Sequence, residues 1–141
     1  MGYPKSGVDL SLHTSWEAHA IPPDRHSART GARVAIVIST LRILTAPQAR
    51  AGIVRTLAAQ LGSTRVQPGC RRCDLYQDVE NPGAITLVEE WESQGELSLR
   101  LRSEDYSAVL AAIELSRERP EIHFDTVIRR GGLEVVVAAR A

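Results

Sequence analysis

Apolar residues recur along this chain with two different periods, and the changes of period mark its elements. Val34 to Leu44 is rich in β-branched residues and long enough for one strand across a sheet. Ala49, Ile53, Leu57 and Leu61, joined by Val54 and Ala58, follow at helical spacing and predict an amphipathic helix ending near Gly62. Thr45 and Gln48 read as its capping box, with Pro47 in the first turn, where the missing N–H is harmless. Cys73, Leu75, Gln77 and Val79 then alternate with Asp74, Tyr76 and Asp78, a strand with one wetter face. Asn81-Pro82-Gly83 supplies the restricted and the positive φ that a hairpin turn can use. Ala84 to Trp91 returns as a strand, with Ile85, Leu87 and Trp91 on one face and Thr86, Val88 and Glu90 on the other.

Ser93 and Glu96 form a second capping box, which opens a helix directly after Trp91. Ser103 is expected to cap a further helical piece with Tyr106, Val109, Leu110 and Ile113 facing inward. Beyond Pro120, Glu121 to Arg129 alternates Ile122, Phe124 and Thr126 against His123, Asp125 and Val127, a strand. Gly131-Gly132 turns the chain, and Leu133 to Ala138 suits a short final strand. The order β-α-β-β-α-β predicts the α+β class, a ferredoxin-like split βαβ sandwich with helices on one face of an antiparallel sheet. Val, Ile and Leu occupy both parities of the first and third strands, so the bare face needs a cover. A second copy of the same sheet is the simplest one, and a homodimer is expected.

Residues 1–32 break the pattern: three prolines, scattered serines and His13, His19 and His26 follow no sustained period. They read as a flexible N-terminal extension to a domain spanning 33–141. The 141 residues carry 17 basic and 17 acidic side chains, and no basic stripe with interleaved aromatics argues for nucleic acid. The apolar runs are strand-length, well short of the roughly 20 residues of a membrane span. No basic segment followed by an apolar run opens the chain, so a soluble cytoplasmic protein is expected. Cys70 and Cys73 sit at and after a strand entry, where three residues should reverse the face, and no second pair completes a zinc site. Packing, rather than redox or metal chemistry, is their expected role, and no metal is expected.

Four segments in order carry a family resemblance: Pro68-Gly69-Cys70, Leu75-Tyr76-Gln77-Asp78, Leu87-Val88-Glu89-Glu90-Trp91-Glu92-Ser93 and Leu101-Arg102-Ser103-Glu104-Asp105-Tyr106. Over about residues 34–129 the chain resembles the antibiotic biosynthesis monooxygenase family, small dimeric α+β barrel proteins that include quinol monooxygenases. The resemblance implies a pocket between sheet and helices in each subunit. It further implies oxidation of a small hydroxylated aromatic or quinol by O2 without metal, flavin or haem. Where many members carry a helix histidine this chain has Arg100, and where a second is frequent it has Asp105. The first change removes the obvious ligand of the haem-degrading relatives, and a convenient base with it.

On that frame Trp91 is a candidate pocket wall that donates its indole N–H to substrate, or else an ordinary core aromatic. Arg100 is a candidate catalytic cation for a phenolate or quinol oxygen, or else the partner of Glu96 one turn earlier. Tyr106 and His123 are candidate catalytic groups, His123 as general base, with core packing and a strand histidine facing a dimer partner as their structural alternatives. Asp105 is a candidate substrate contact or a helix-start acid. A non-catalytic dimeric ligand-binding or protective module is the alternative to the oxygenase, and a dimer whose tail recruits a partner is a third reading.

Overall fold

The computed structural model describes residues 35–141. The expected extension, 1–32, and Val34 lie outside the described residues. Strand β1 spans Ile36–Leu44, and its burial alternates residue by residue, with Val37, Ser39, Leu41 and Ile43 inward. Helix α1, Pro47–Arg65, starts with Pro at its first positions and runs through Gly62, three residues past the expected stop. Its N-cap is Ala46, and the expected capping box does not form. Thr45 instead donates both its backbone N–H and its hydroxyl to the carbonyl of Gly83, at 2.7 and 2.9 Å, which ties the helix start to a hairpin tip.

Strands β2, Cys70–Gln77, and β3, Ala84–Trp91, form that hairpin. Asp78 Oδ1 accepts from the N–H groups of Glu80 and Asn81, and Ala84 N–H closes the turn on Asn81. Gly83 does not use a positive φ here. A Cβ at Gly83 would stand 3.0 Å from the carbonyl oxygen of Thr45, so the glycine is there for close approach. Gly69 is the one described residue with a positive φ, +82°, where any other residue would be strained, and the Glu96 carboxylate packs over it.

After β3 come α2, Gln94–Arg102, and α3, Tyr106–Glu114. Ser93 accepts from Glu96 N–H at 3.3 Å, so α2 begins as its sequence predicts. Ser103 belongs to the other end: it caps α2, and its hydroxyl donates to the carbonyl of Arg100 at 2.7 Å. Strand β4 is Glu121–Val127, and the chain closes with α4, Leu133–Ala139, a helix where the sequence suggested a strand. Every residue of α4 is exposed, so no sheet edge competes with the local i→i+4 bonds that Val, Ala and Leu can also make.

The sheet runs β2-β3-β1-β4 with every neighbouring pair antiparallel, the expected ferredoxin-like α+β arrangement. Helices α1 and α3 bury Ile53, Leu57, Val109, Ala112 and Ile113 against Leu41, Ile43, Ile85 and Leu87, one continuous core. Around Val37, Trp91 and Leu97 lies a second, smaller cluster. The opposite face of the sheet is mixed rather than uniformly apolar. A half-buried centre of Ile36, Ile38, Thr40, Thr86 and Val88 is rimmed by Arg42, Arg72, Asp74, Glu121, His123 and Asp125. Among the described residues no helix is long and apolar enough to cross a membrane.

Candidate functional site

Register places Cys73, Glu89, Ser39 and Phe124 side by side across the four strands. This row runs between an apolar one, Leu75-Leu87-Leu41-Ile122, and one that contains Trp91 and Val37. A carboxylate thus points into the helix-covered side, at the seam of the two cores, and is 2 % exposed. Leaving it there alone would be costly, because a buried charge needs a partner and hydrogen bonds.

Helix α2 delivers the partner. Leu97 and Arg100 are three apart, share one helix face and are both buried. Arg100 Nε donates to Glu89 Oε1 at 3.0 Å and Nη2 to Oε2 at 3.4 Å, a fork engaged along one edge of the guanidinium. Trp91 Nε1–H donates to the same Oε1 at 3.2 Å. The turn held by Ser103 then swings the first residue of α3 over the pair, and the Arg100 guanidinium lies 5.1 Å from the centre of the Tyr106 ring. One atom is left over: Arg100 Nη1 is buried and donates to nothing. An unsatisfied buried donor costs about 1–3 kcal/mol, so this guanidinium has capacity for one more acceptor.

The neighbouring acids stay protonated. Burial pushes the Cys73 thiol up to about 12, with the Glu89 charge adding to the effect. Burial first, and Glu89 second, also hold the Tyr106 phenol well above its usual range, with Arg100 opposing them. At neutral pH Tyr106 is therefore a ring and a hydroxyl, not a base. Among the described residues, no three His, Cys, Asp or Glu side chains gather as a metal ion would require.

Of the residues singled out from sequence, Trp91, Arg100 and Tyr106 come together. His123 and Asp105 do not join them. His123 is exposed and pairs with Thr40, so its side chain is on the far face of the sheet, with the sheet itself between it and Arg100. Asp105 is exposed at the start of α3 and caps nothing with its side chain. Arg100 does not pair with Glu96, whose carboxylate lies over Gly69 and accepts from the Ser93 hydroxyl. A bulge in β2 corrects the reading of the cysteines: Cys70 pairs with Trp91 and Cys73 with Glu89, so the extra residue between Cys70 and Arg72 returns both to one face. Both are free thiols.

Glu89 is the residue that the sequence reading missed. Its signal was present, since Ile85, Leu87 and Trp91 were assigned inward and position 89 has their parity.

Solved structures share this architecture. A conserved protein from Methanosarcina mazei Go1 is 21 % identical with a TM-score of 0.62, over 67 % of this chain and 94 % of that one. Rv0793 from Mycobacterium tuberculosis is 24 % identical with a TM-score of 0.62, over 69 % of this chain and 99 % of its own. A structure named antibiotic biosynthesis monooxygenase is 19 % identical with a TM-score of 0.60, over 66 % and 99 %. At such identities the likeness establishes the fold. No curated protein matched the sequence. The family model for antibiotic biosynthesis monooxygenases does match, over residues 36–112, more than half of the chain and all of the segment from β1 to Trp91, Arg100 and Tyr106. The chain belongs to the antibiotic biosynthesis monooxygenase family.

Proposed function

We propose that the protein is a monooxygenase that oxidises a small hydroxylated aromatic or quinol with O2 and no cofactor, beside Trp91, Arg100 and Tyr106. The observation that carries this reading is Arg100 Nη1, a buried donor without an acceptor, set against two aromatic side chains. A flat ring bearing oxygen would use such a place by laying its face against Trp91 or Tyr106 and turning its oxygen to the free N–H groups. In the reaction one oxygen atom enters a ring carbon, replacing hydrogen, and the other leaves as water. The four electrons come from the substrate, as hydroquinone becomes hydroxyquinone, so no external reductant is needed. The protein's part is to hold the ring, donate hydrogen bonds to its oxygen and keep water out. We propose further that a second copy covers the mixed face of the sheet, which would make the homodimer the working form.

Oxygen uptake over a panel of quinols, with hydroxyquinone identified by mass, tests the reading. No uptake above the buffer's autoxidation rate overturns it. One observation favours a second reading, a binding or protective module without turnover: Glu89 is occupied by Arg100 and Trp91, and Tyr106 keeps its proton, so neither is ready to accept one. Saturable quinol binding under nitrogen, with no uptake in air, would select it.

A further inference from the structure

We infer that Glu89 is the positioning residue of this site and makes Arg100 select an uncharged acceptor oxygen over an anionic one. The inference rests on the reading of Arg100 as the group that meets substrate. A guanidinium is planar with three nitrogens, and Glu89 occupies the Nε and Nη2 edge, so its orientation in the plane is set. The Tyr106 ring covers its face, and the Trp91 indole N–H holds the same carboxylate oxygen that Arg100 Nε engages. The remaining nitrogen, Nη1, points away from the carboxylate with its N–H groups unused. What Glu89 fixes is therefore the direction of the donor, and through it the place of a ligand's oxygen.

Glu89 also sets the charge. The two side chains are 2 % and 1 % exposed and sum to zero, so Arg100 offers hydrogen bonds without a net positive field. The other groups nearby, Tyr106, Cys70 and Cys73, are held toward their neutral forms. A carbonyl or hydroxyl oxygen completes this arrangement with no charge left over. A carboxylate in the same place adds an uncompensated negative charge to a dry site that already contains one.

Methylhydroquinone and 2,5-dihydroxybenzoate share a quinol and differ by a carboxylate, which makes them a matched pair of probes. Anaerobic calorimetry on the full chain should show the neutral probe binding at least about tenfold more tightly. Glu89→Gln keeps the shape but leaves Arg100 an unpaired cation, and the ratio of KM values should shift toward the carboxylate by about tenfold or more. Loss of folding alone would not move that ratio. Should Glu89→Gln fail to fold, nitrogen-15 spectra of the wild-type guanidinium decide: methylhydroquinone should shift the Arg100 Nη1 signal and leave Nε in place, and the benzoate should not. Equal binding of both probes, an unchanged ratio in the variant, or a shift at Nε overturns the inference while leaving quinol oxidation standing. Failure of both probes to bind and of the whole quinol panel to consume oxygen overturns both.

Discussion

Glu89 and Glu90 are neighbours on one strand, both with side chains at most 7 % exposed, yet they live in different electrostatic worlds. Glu89 faces the helices and has one charged partner among the described residues, Arg100, as hidden as itself. Glu90 faces the uncovered side and is shared by Arg72 at 3.5 Å and Arg130 at 3.0 Å, whose side chains are half in water. The first pair is dry and singular; the second is wet, redundant and tied through Arg72 to Asp74 and Tyr76. Period-two alternation alone produces this difference, since one step along a strand changes which medium a side chain meets. The comparison shows that a buried carboxylate marks a site only when its counter-ion is buried too.

The largest expected effect separates the two. Glu89→Ala strands a buried cation and should lower stability by about 3–5 kcal/mol in chemical denaturation. Glu90→Ala should cost less, and its cost should shrink as salt rises, because its partners are solvated. A similar, salt-sensitive loss in both would erase the distinction. Next, replacing the pair with Glu89→Leu and Arg100→Met together should leave stability unchanged or raise it by about 1–4 kcal/mol, while quinol binding disappears. Retained binding would show that the pair serves the fold alone. Trp91→Phe keeps most of the ring and removes one hydrogen bond, so it should cost about 1 kcal/mol of stability and weaken quinol binding more than that.

Part of the alkaline pH dependence comes from Cys73, whose folded thiol is pushed from 9.0 up to about 12, beside the raised Tyr106 and Cys70. Between those values the unfolded chain has lost a proton that the folded chain keeps, so stability falls as pH rises through that window. In Cys73→Ser that part of the slope should vanish in melts from pH 8 to 11. The smallest effect belongs to α4: deleting 131–141 removes only exposed residues and should change the unfolding free energy by no more than about 0.5 kcal/mol. Light scattering on the same variant then reports whether those exposed valines serve self-association. A monomeric full-length chain at micromolar concentration would refute the homodimer.

The sheet and the helices from α1 to α3 were legible because each buries one face, and burial imposes a period. Helix α4 was not legible, because it buries nothing, and VVVAA reads as strand when composition alone decides. The extra residue in β2 was invisible for a related reason. A bulge changes pairing without changing the types of residue, so the two cysteines seemed to face apart. Trp91, Arg100 and Tyr106 were legible as candidates, but their bond to one another was not. Trp91 meets Arg100 only through Glu89, and a glutamate after Val88 looks like any solvent-facing acid until its parity is counted. His123 attracted attention as the sole imidazole after residue 26, which is a fact of composition and says nothing of the face it occupies.

The ion pair between β3 and α2 also bears on the order of assembly. Glu89 cannot leave water before Arg100 arrives, and Arg100 cannot arrive until its helix has formed and turned Leu97 downward. We therefore expect α2 to dock late, after β1, β3 and α1 have built the platform beneath it. Leu97→Ala should quicken unfolding and leave the refolding rate nearly unchanged, and a slowed refolding limb in stopped-flow would place that helix in the nucleus instead.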